Sequence, residues 1–456
     1  MTTSDFLNLH CDHKIVLDNV EDREIFTYSL VLCKGHIEDV EKFFCTPQFV
    51  VQSSRNRLII PEIDPETKHF RCILEIQRED EVFTFVYCTA SITISISYKP
   101  RFTTLTVVPL YLICDGHDGS FHAPDTESNT VESACNRITT GIKLIQTILG
   151  DKLKDFGVAN KCFQIKSKCT VFHSKLQAER ALEMSQMELW YYFAREIMSS
   201  DIGNCDKKYL AFLSCSKYDG SEYYCDMKHE DLIKLVKGYV AYGGDGLALL
   251  STLCLYTWPE TVEDVFVRFK DKTLVDTSKF MDDSCYRGTL GGCFATTLGA
   301  ALHELCHTFN LGHSETGIMG CDFGNTQNIF LPNSKYRFSR FNYWNNLLKH
   351  GEDYMNLSNG SLAILAYHKW FNSYEKKSKI SSNSYDSYNR IIKSTAGIRV
   401  VEIRRLADGM VLKFWDFMGK VLKFSFQIPA GAMEENETNT VVFVEDDIGN
   451  TLLESL

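Results

Sequence analysis

The sequence predicts a multidomain α/β protein with all-β flanks, and three observations predict it. A chain of 456 residues is longer than one ordinary hydrophobic core accommodates. Apolar residues make up 44% and charged residues 23%, the balance of a folded globular chain. The texture changes twice, from short β-branched runs to apolar strands alternating with long helices, and back to short runs.

Residues 1–102 read as an N-terminal β-sandwich. "FTYSLVLC", "QFVVQSS", "NRLIIPEI", "FRCILEIQ" and "FTFVYCTASITISISY" are short β-branched and aromatic runs, separated by polar turns such as "PETK" and "RED". The buried Trp and paired Cys of antibody-type domains are absent, so only the sandwich shape is expected.

Residues 103–373 read as the α/β domain. "LTVVPLYLIC" is continuously apolar, as a strand buried on both faces must be. A helix is predicted over about 129–149, where Val131, Ala134, Ile138, Ile142, Ile145 and Leu149 recur at helical spacing. Asn129 with Glu132 offers it a capping box. A second helix is predicted over 176–198, and strands over 208–215 and 246–257. The stretch 239–258 carries a single charge but is broken by Gly243, Gly244, Asp245 and Gly246. A membrane span needs roughly 20 apolar residues, so this stretch reads as a buried strand and no transmembrane helix is expected.

The polar, Ser-rich residues 374–390 read as a linker. Residues 391–456 follow as a small C-terminal β module, with strands in "GIRVVEIRRL", "MVLKFWDF", "KVLKFSFQIP" and "TVVFVED".

A net charge of −11 and a pI near 5.7 argue against an extended nucleic-acid surface. The 17 cysteines are scattered without a C-x-x-C pair, which suggests neither a zinc ribbon nor a secreted disulfide scaffold. Free thiols in a reducing compartment are expected. The opening "MTTSDFLNLHCDHK" has no basic region followed by an apolar run, so a cytoplasmic location is expected. The sequons at Asn356, Asn359 and Asn436 are then incidental.

The chemistry concentrates in "HELCHTFNLGHSETGIMG", 303–320. Phe294, Leu298, Ala301, Leu302, Leu305 and Phe309 define the buried face of a helix. His303 and His307, four residues apart, stack on another face and can reach one Zn²⁺. Glu304 projects beside them, placed to take a proton from zinc-bound water. A catalytic zinc wants a third protein ligand and one open position. His313 can supply that ligand if the helix ends and the chain turns back at Asn310, a residue at ease with positive φ. Gly312 adds a second flexible joint.

With His313 included, the stretch resembles the metzincin clan of zinc peptidases, whose pattern is H-E-x-x-H-x-x-G-x-x-H followed by a methionine turn. The resemblance implies a metzincin-like domain over 103–373, a single catalytic zinc, and Met319 as an apolar floor under the histidines. It also implies a mostly parallel sheet whose edge strand takes an extended peptide. "GGDGLALLST" is the candidate for that edge. The overall arrangement is similar to an intracellular zinc metallopeptidase family of fungi and invertebrates whose substrate is not established. Asn310 departs from the clan's glycine, and Cys321 stands where some metzincins carry tyrosine. The absence of downstream cysteine pairs counts against archaemetzincins.

Other features read more simply. Cys306 is expected to pack into the core, and Cys11 is the one early cysteine that could plug a zinc. Asp115, His117, Asp118 and His122 could form a second metal site, but a Gly/Asp turn explains them. Arg337 and Arg340 are read as solvated or salt-bridged, with substrate contact as the alternative; His368 and Trp370 are read as packing. The expected function is zinc-dependent endopeptidase action on a peptide or protein substrate, with Glu304 as general base and neither nucleic acid nor membrane as partner. The alternatives are a catalytically lapsed zinc-containing scaffold acting through its β domains, or amide hydrolysis on a non-peptide substrate.

Overall fold

The structure, a computed structural model, describes residues 13–39, 48–77, 79–166, 168–224, 227–332, 355–373, 382–432 and 439–456. The N-terminal region forms two sheets. One runs His13–Leu17, Leu30–Asp39, His69–Glu75, Glu62–Ile63; the other has five strands, with Phe49–Ser53, Glu81–Tyr87 and Ala90–Tyr98 at its centre. Alternate residues of Glu81–Tyr87 are buried, the period-2 signature of a strand with one core face. Phe70 of the first sheet meets Phe49 of the second at a centroid distance of 4.8 Å, closing the sandwich.

The central sheet is built from β1 (Thr106–Asp115), β2 (Thr170–Gln177), β3 (Lys207–Leu213), β4 (Ala241–Gly244) and β5 (Leu247–Ser251), with a short strand Gln164–Ile165 beside the start of β1. All pair in parallel except β4, which runs antiparallel to β5. β1 is buried on both faces. Val107, Tyr111 and Ile113 join the core shared with the sandwich, while Val108, Leu110 and Leu112 join a second core on the opposite face.

The helix expected over 129–149 is α1, Val131–Asp155. Its cap is Thr130, whose hydroxyl accepts the Ser133 N–H, and not Asn129. The single helix expected over 176–198 is broken. β2 continues to Gln177, a short helix spans Ala178–Glu183, and α2 (Gln186–Met198) starts afresh from Ser185. Ser185 and Glu188 form a reciprocal capping box that stops one helix and starts the next.

The stretch 239–258 is not one strand. Asp245, at φ +46°, and Gly246 turn the chain between β4 and β5. β5 therefore lies between β3 and β4, and the edge is β4. The turn lies inside the segment expected to form the edge, so the residues before it pair on the outside.

Helix α3 (Leu290–Thr308) lies against β4 and β5. Trp258 ties it to α1: its ring fills the space over Gly141, and its Nε1 donates to Thr297 Oγ1 at 2.8 Å. A further helix, α4 (Asn359–Tyr367), packs on the C-terminal sheet. That sheet centres on the long strand Ile391–Arg405, paired with Thr440–Asp446. Its edge strand Asn383–Asp386 falls within the stretch read as linker, a polar strand whose composition hides it. Ile392, Val401, Ile403, Val442 and Val444 make this module's own core, whereas Val400 and Phe443, on the other face, join the main core. Among the described residues no helix is long and apolar enough to cross a membrane.

Candidate metal centre

Helix α3 begins at Thr289, whose hydroxyl accepts the Gly292 N–H at 3.1 Å. Leu298, Ala301, Leu302 and Leu305 are fully buried, fixing the helix's rotation so that His303 and His307 share a different side. The helix ends as the sequence requires. Asn310 takes φ +64°, its N–H donates to the His307 carbonyl at 3.0 Å, and Leu311 N donates to the Cys306 carbonyl at 3.2 Å. Gly312 is not in the left-handed region. Its lack of a side chain serves close approach instead, because a Cβ there would lie 2.8 Å from the Gly409 carbonyl oxygen.

The turn brings the three imidazoles together. His303 Nε2 is 3.1 Å from His307 Nε2 and 3.2 Å from His313 Nε2, and the third separation is 3.0 Å. Each ring's other nitrogen faces a backbone carbonyl. His303 Nδ1 lies 2.8 Å from Ile318 O, His307 Nδ1 lies 3.0 Å from Leu311 O, and His313 Nδ1 bonds to Asp408 O. A carbonyl can only accept, so each Nδ1 carries the proton and each Nε2 presents its lone pair. Burial, then the neighbouring His303 and His313, pushes His307 down to about 3, keeping its ring neutral.

Three lone pairs facing one point repel each other unless a cation lies between them. The separations are near the roughly 3.3 Å expected of imidazoles bound to one tetrahedral ion at about 2.0–2.1 Å. The residues therefore fit a zinc ion, with the carbonyls supplying the outer-shell partners such a site needs. Among the described residues this is the one His/Cys/Asp/Glu group within ligand reach of a common ion.

Glu304 stands half-buried beside the triad, on the wall of a cavity of about 200 Å³. Phe212, Leu250, Trp258 and Met281 give that cavity apolar walls, with Asp283 also at its lining. The apolar surroundings push the Glu304 carboxyl up to about 8, opposed by the Gly243 backbone N–H. Such a group can both take up and return a proton near neutral pH.

Met319 is fully buried, and its carbonyl accepts the Ser314 N–H at 2.9 Å, closing the loop that follows His313. Cys306 is fully buried in the core. Asp115, His117, Asp118 and His122 do not converge. His117 Nδ1 accepts from Gly119 N, Asp118 accepts from Ser120, Asp115 accepts from Gln177, and His122 lies 5.0 Å from the Phe280 ring. His368 and Trp370 are buried together beyond α4. Cys11, Arg337 and Arg340 lie outside the described residues.

Sequence reasoning missed Asp283, the Gly243 contact and the contribution of Asp408. Gly243 and Asp408 act through backbone atoms, which carry no residue-type signal, and Asp283 lies outside the motif.

Two yeast proteins share sequence with this chain. A protein named putative zinc metalloproteinase in Saccharomyces cerevisiae is 34% identical over 107 residues, 23% of this chain and 15% of that protein. Another so named in Schizosaccharomyces pombe is 20% identical over 337 residues, 67% of this chain and 52% of that protein. The chain thus matches about half or less of each relative's length. Among solved structures, domains 4 and 5 of the S-layer protein SbsC match 18% of this chain and 50% of theirs at 10% identity and a TM-score of 0.15, which carries no fold argument. A family model covers most of the chain, residues 14–399, and on that match the chain belongs to the family described as "Putative peptidase family".

Proposed function

We propose that this chain is a zinc-dependent endopeptidase of metzincin-like architecture, cutting an extended peptide laid along β4. The observation that carries the reading is the set of three backbone carbonyls, which turn three Nε2 lone pairs onto one point beside a raised carboxyl. His303, His307 and His313 would hold the zinc. When bound there, zinc supplies a Lewis acid and lowers the pKa of water. Glu304 accepts the proton of the attacking water and returns it to the leaving amine. Glu304 and His303 line one cavity, which supports that role.

β4 is the last strand of its sheet among the described residues, and a peptide can add to it by backbone pairing if it displaces Gln186 Oε1 from the Ala241 N–H. The cavity beside Glu304 then receives one substrate side chain, and its apolar walls favour a medium-sized apolar residue. The names of the yeast relatives and the family's description support peptidase chemistry.

The test pairs metal content with Glu304→Gln. The expected result is one zinc per chain in both proteins, cleavage of a denatured-protein library by the wild type, and none by the variant. A zinc-loaded wild type that cleaves no member of the library would instead favour a scaffold role.

A further inference from the structure

We propose that the C-terminal β module is part of the metal centre, its turn acting as the clamp that positions His313. This rests on the zinc reading above and extends it. His303 and His307 are oriented by carbonyls from their own helix end and the loop that follows it, Ile318 and Leu311. His313 differs: its Nδ1 partner is Asp408 O, 95 residues along the chain.

The backbone of His313 is held by the same turn from both sides. Its N–H donates to Gly409 O at 3.0 Å, and its carbonyl accepts the Val411 N–H at 3.0 Å. His313 is thus added like one residue of a parallel strand, bridging Met410. A second tie lies three residues back. Arg404 Nη2 donates to the Asn310 carbonyl at 2.7 Å, fixing the turn that ends α3.

Arg404 is itself immobilised. Its guanidinium pairs with the buried Glu402 carboxylate at 2.6 and 2.8 Å and lies 4.0 Å from the Phe443 ring centre. The fit between loop and module is tight at Gly312, where a Cβ would press on Gly409 O and on Val411 Cγ2 at 2.8 Å each. Gly409, at φ +69°, holds the conformation that presents the Asp408 carbonyl. Asp408 and Gly409 act through their backbone and Arg404 through Asn310, so these are positioning residues. Without the module the third imidazole has neither a fixed tautomer nor a fixed backbone.

The experiment uses the full chain and two variants. Arg404→Met removes the tie to Asn310. Gly409→Val disturbs the Asp408 carbonyl and leaves the Arg404–Glu402 pair in place. Zinc affinity is measured by competition with a chromophoric chelator, the ligand field by the visible spectrum of the cobalt-substituted protein, and folding by melting the metal-free chain. Both variants are expected to lose about 10–100-fold in zinc affinity and to show an altered cobalt spectrum. Their metal-free forms are expected to melt lower, Gly409→Val through a β-branched residue at positive φ and Arg404→Met through the unpaired buried Glu402, yet to stay folded at the temperature of the titration. Arg404→Lys, which keeps a donor, is expected to recover part of the loss.

If Arg404→Met does not fold, Gly409→Val decides the matter. Folded variants with wild-type zinc affinity and an unchanged cobalt spectrum would overturn the clamp while leaving the zinc reading intact. A wild type that binds neither metal would overturn both.

Discussion

Gly243 of the edge strand lies so close to Glu304 that a methyl group at position 243 would overlap the Glu304 carbonyl oxygen. The same glycine's N–H is hydrogen-bonded to the Glu304 carboxyl. Strand and helix are thus in backbone contact where the proposed base sits. Gly243→Ala is expected to displace the carboxyl, lowering kcat by roughly 10–100-fold with much less effect on zinc affinity. Steady-state kinetics on a library-derived peptide, alongside chelator competition, checks this; an unchanged kcat would mean the contact does not place Glu304.

Asn310 gives a second prediction. At φ +64° an amide side chain or no side chain is tolerated, whereas a β-branched one is strained. Asn310→Gly is expected to leave stability and zinc affinity near wild type. Asn310→Val is expected to cost about 1–2 kcal/mol and to weaken zinc binding, because the turn to His313 is disturbed. Thermal melts and zinc titrations of the two variants should therefore diverge.

The pH dependence of the metal-free chain follows from His307. Its folded-state pKa, about 3, lies below the ordinary 6.5. Between these values the unfolded chain binds the proton and the folded chain does not. The contribution to stability is therefore fully present above pH 6.5 and is lost as the pH falls toward 3. His368, fully enclosed and also lowered, works in the same direction. Melting temperatures in chelator should fall from pH 7 to pH 5 in the wild type and fall less steeply in His307→Leu. Equal slopes would show that His307 is not held neutral by its surroundings.

Lys208 offers a test away from the proposed centre. Burial and Lys369 lower it from 10.5 to about 7, and its Nζ lies over Trp370 and donates to the Asp245 carbonyl at 2.9 Å. The folded state therefore disfavours the charged form between pH 7 and 10.5, so the stability of the wild type rises with pH across that window. Lys208→Met removes the charge; it should stabilise the chain at pH 7 by about 1 kcal/mol or more and show a smaller gain at pH 10. Denaturant melts at the two values decide it.

The parts legible in the sequence are those encoded by neighbouring residues. The spacing of His303 and His307 is a property of one helix, and Asn310 announces its own positive φ. Alternating and continuous apolar runs marked the strands for the same reason. Two things were hidden. Strand order depends on where a turn falls, so β4 and not β5 became the edge once Asp245 reversed the chain. The carbonyls that orient the imidazoles are backbone atoms, which carry no residue-type signature, and Asp408 is supplied from another module altogether. The break at Met184 was similarly masked, because good helix formers flank a capping box that overrides them.

The most direct measurement is zinc-edge X-ray absorption on the purified full chain. The expected spectrum shows three imidazole nitrogens at about 2.0–2.1 Å, one further oxygen and no sulfur near 2.3 Å. A sulfur shell, placing zinc on Cys306, Cys321 or another thiol, or a protein that retains no zinc, would contradict the account.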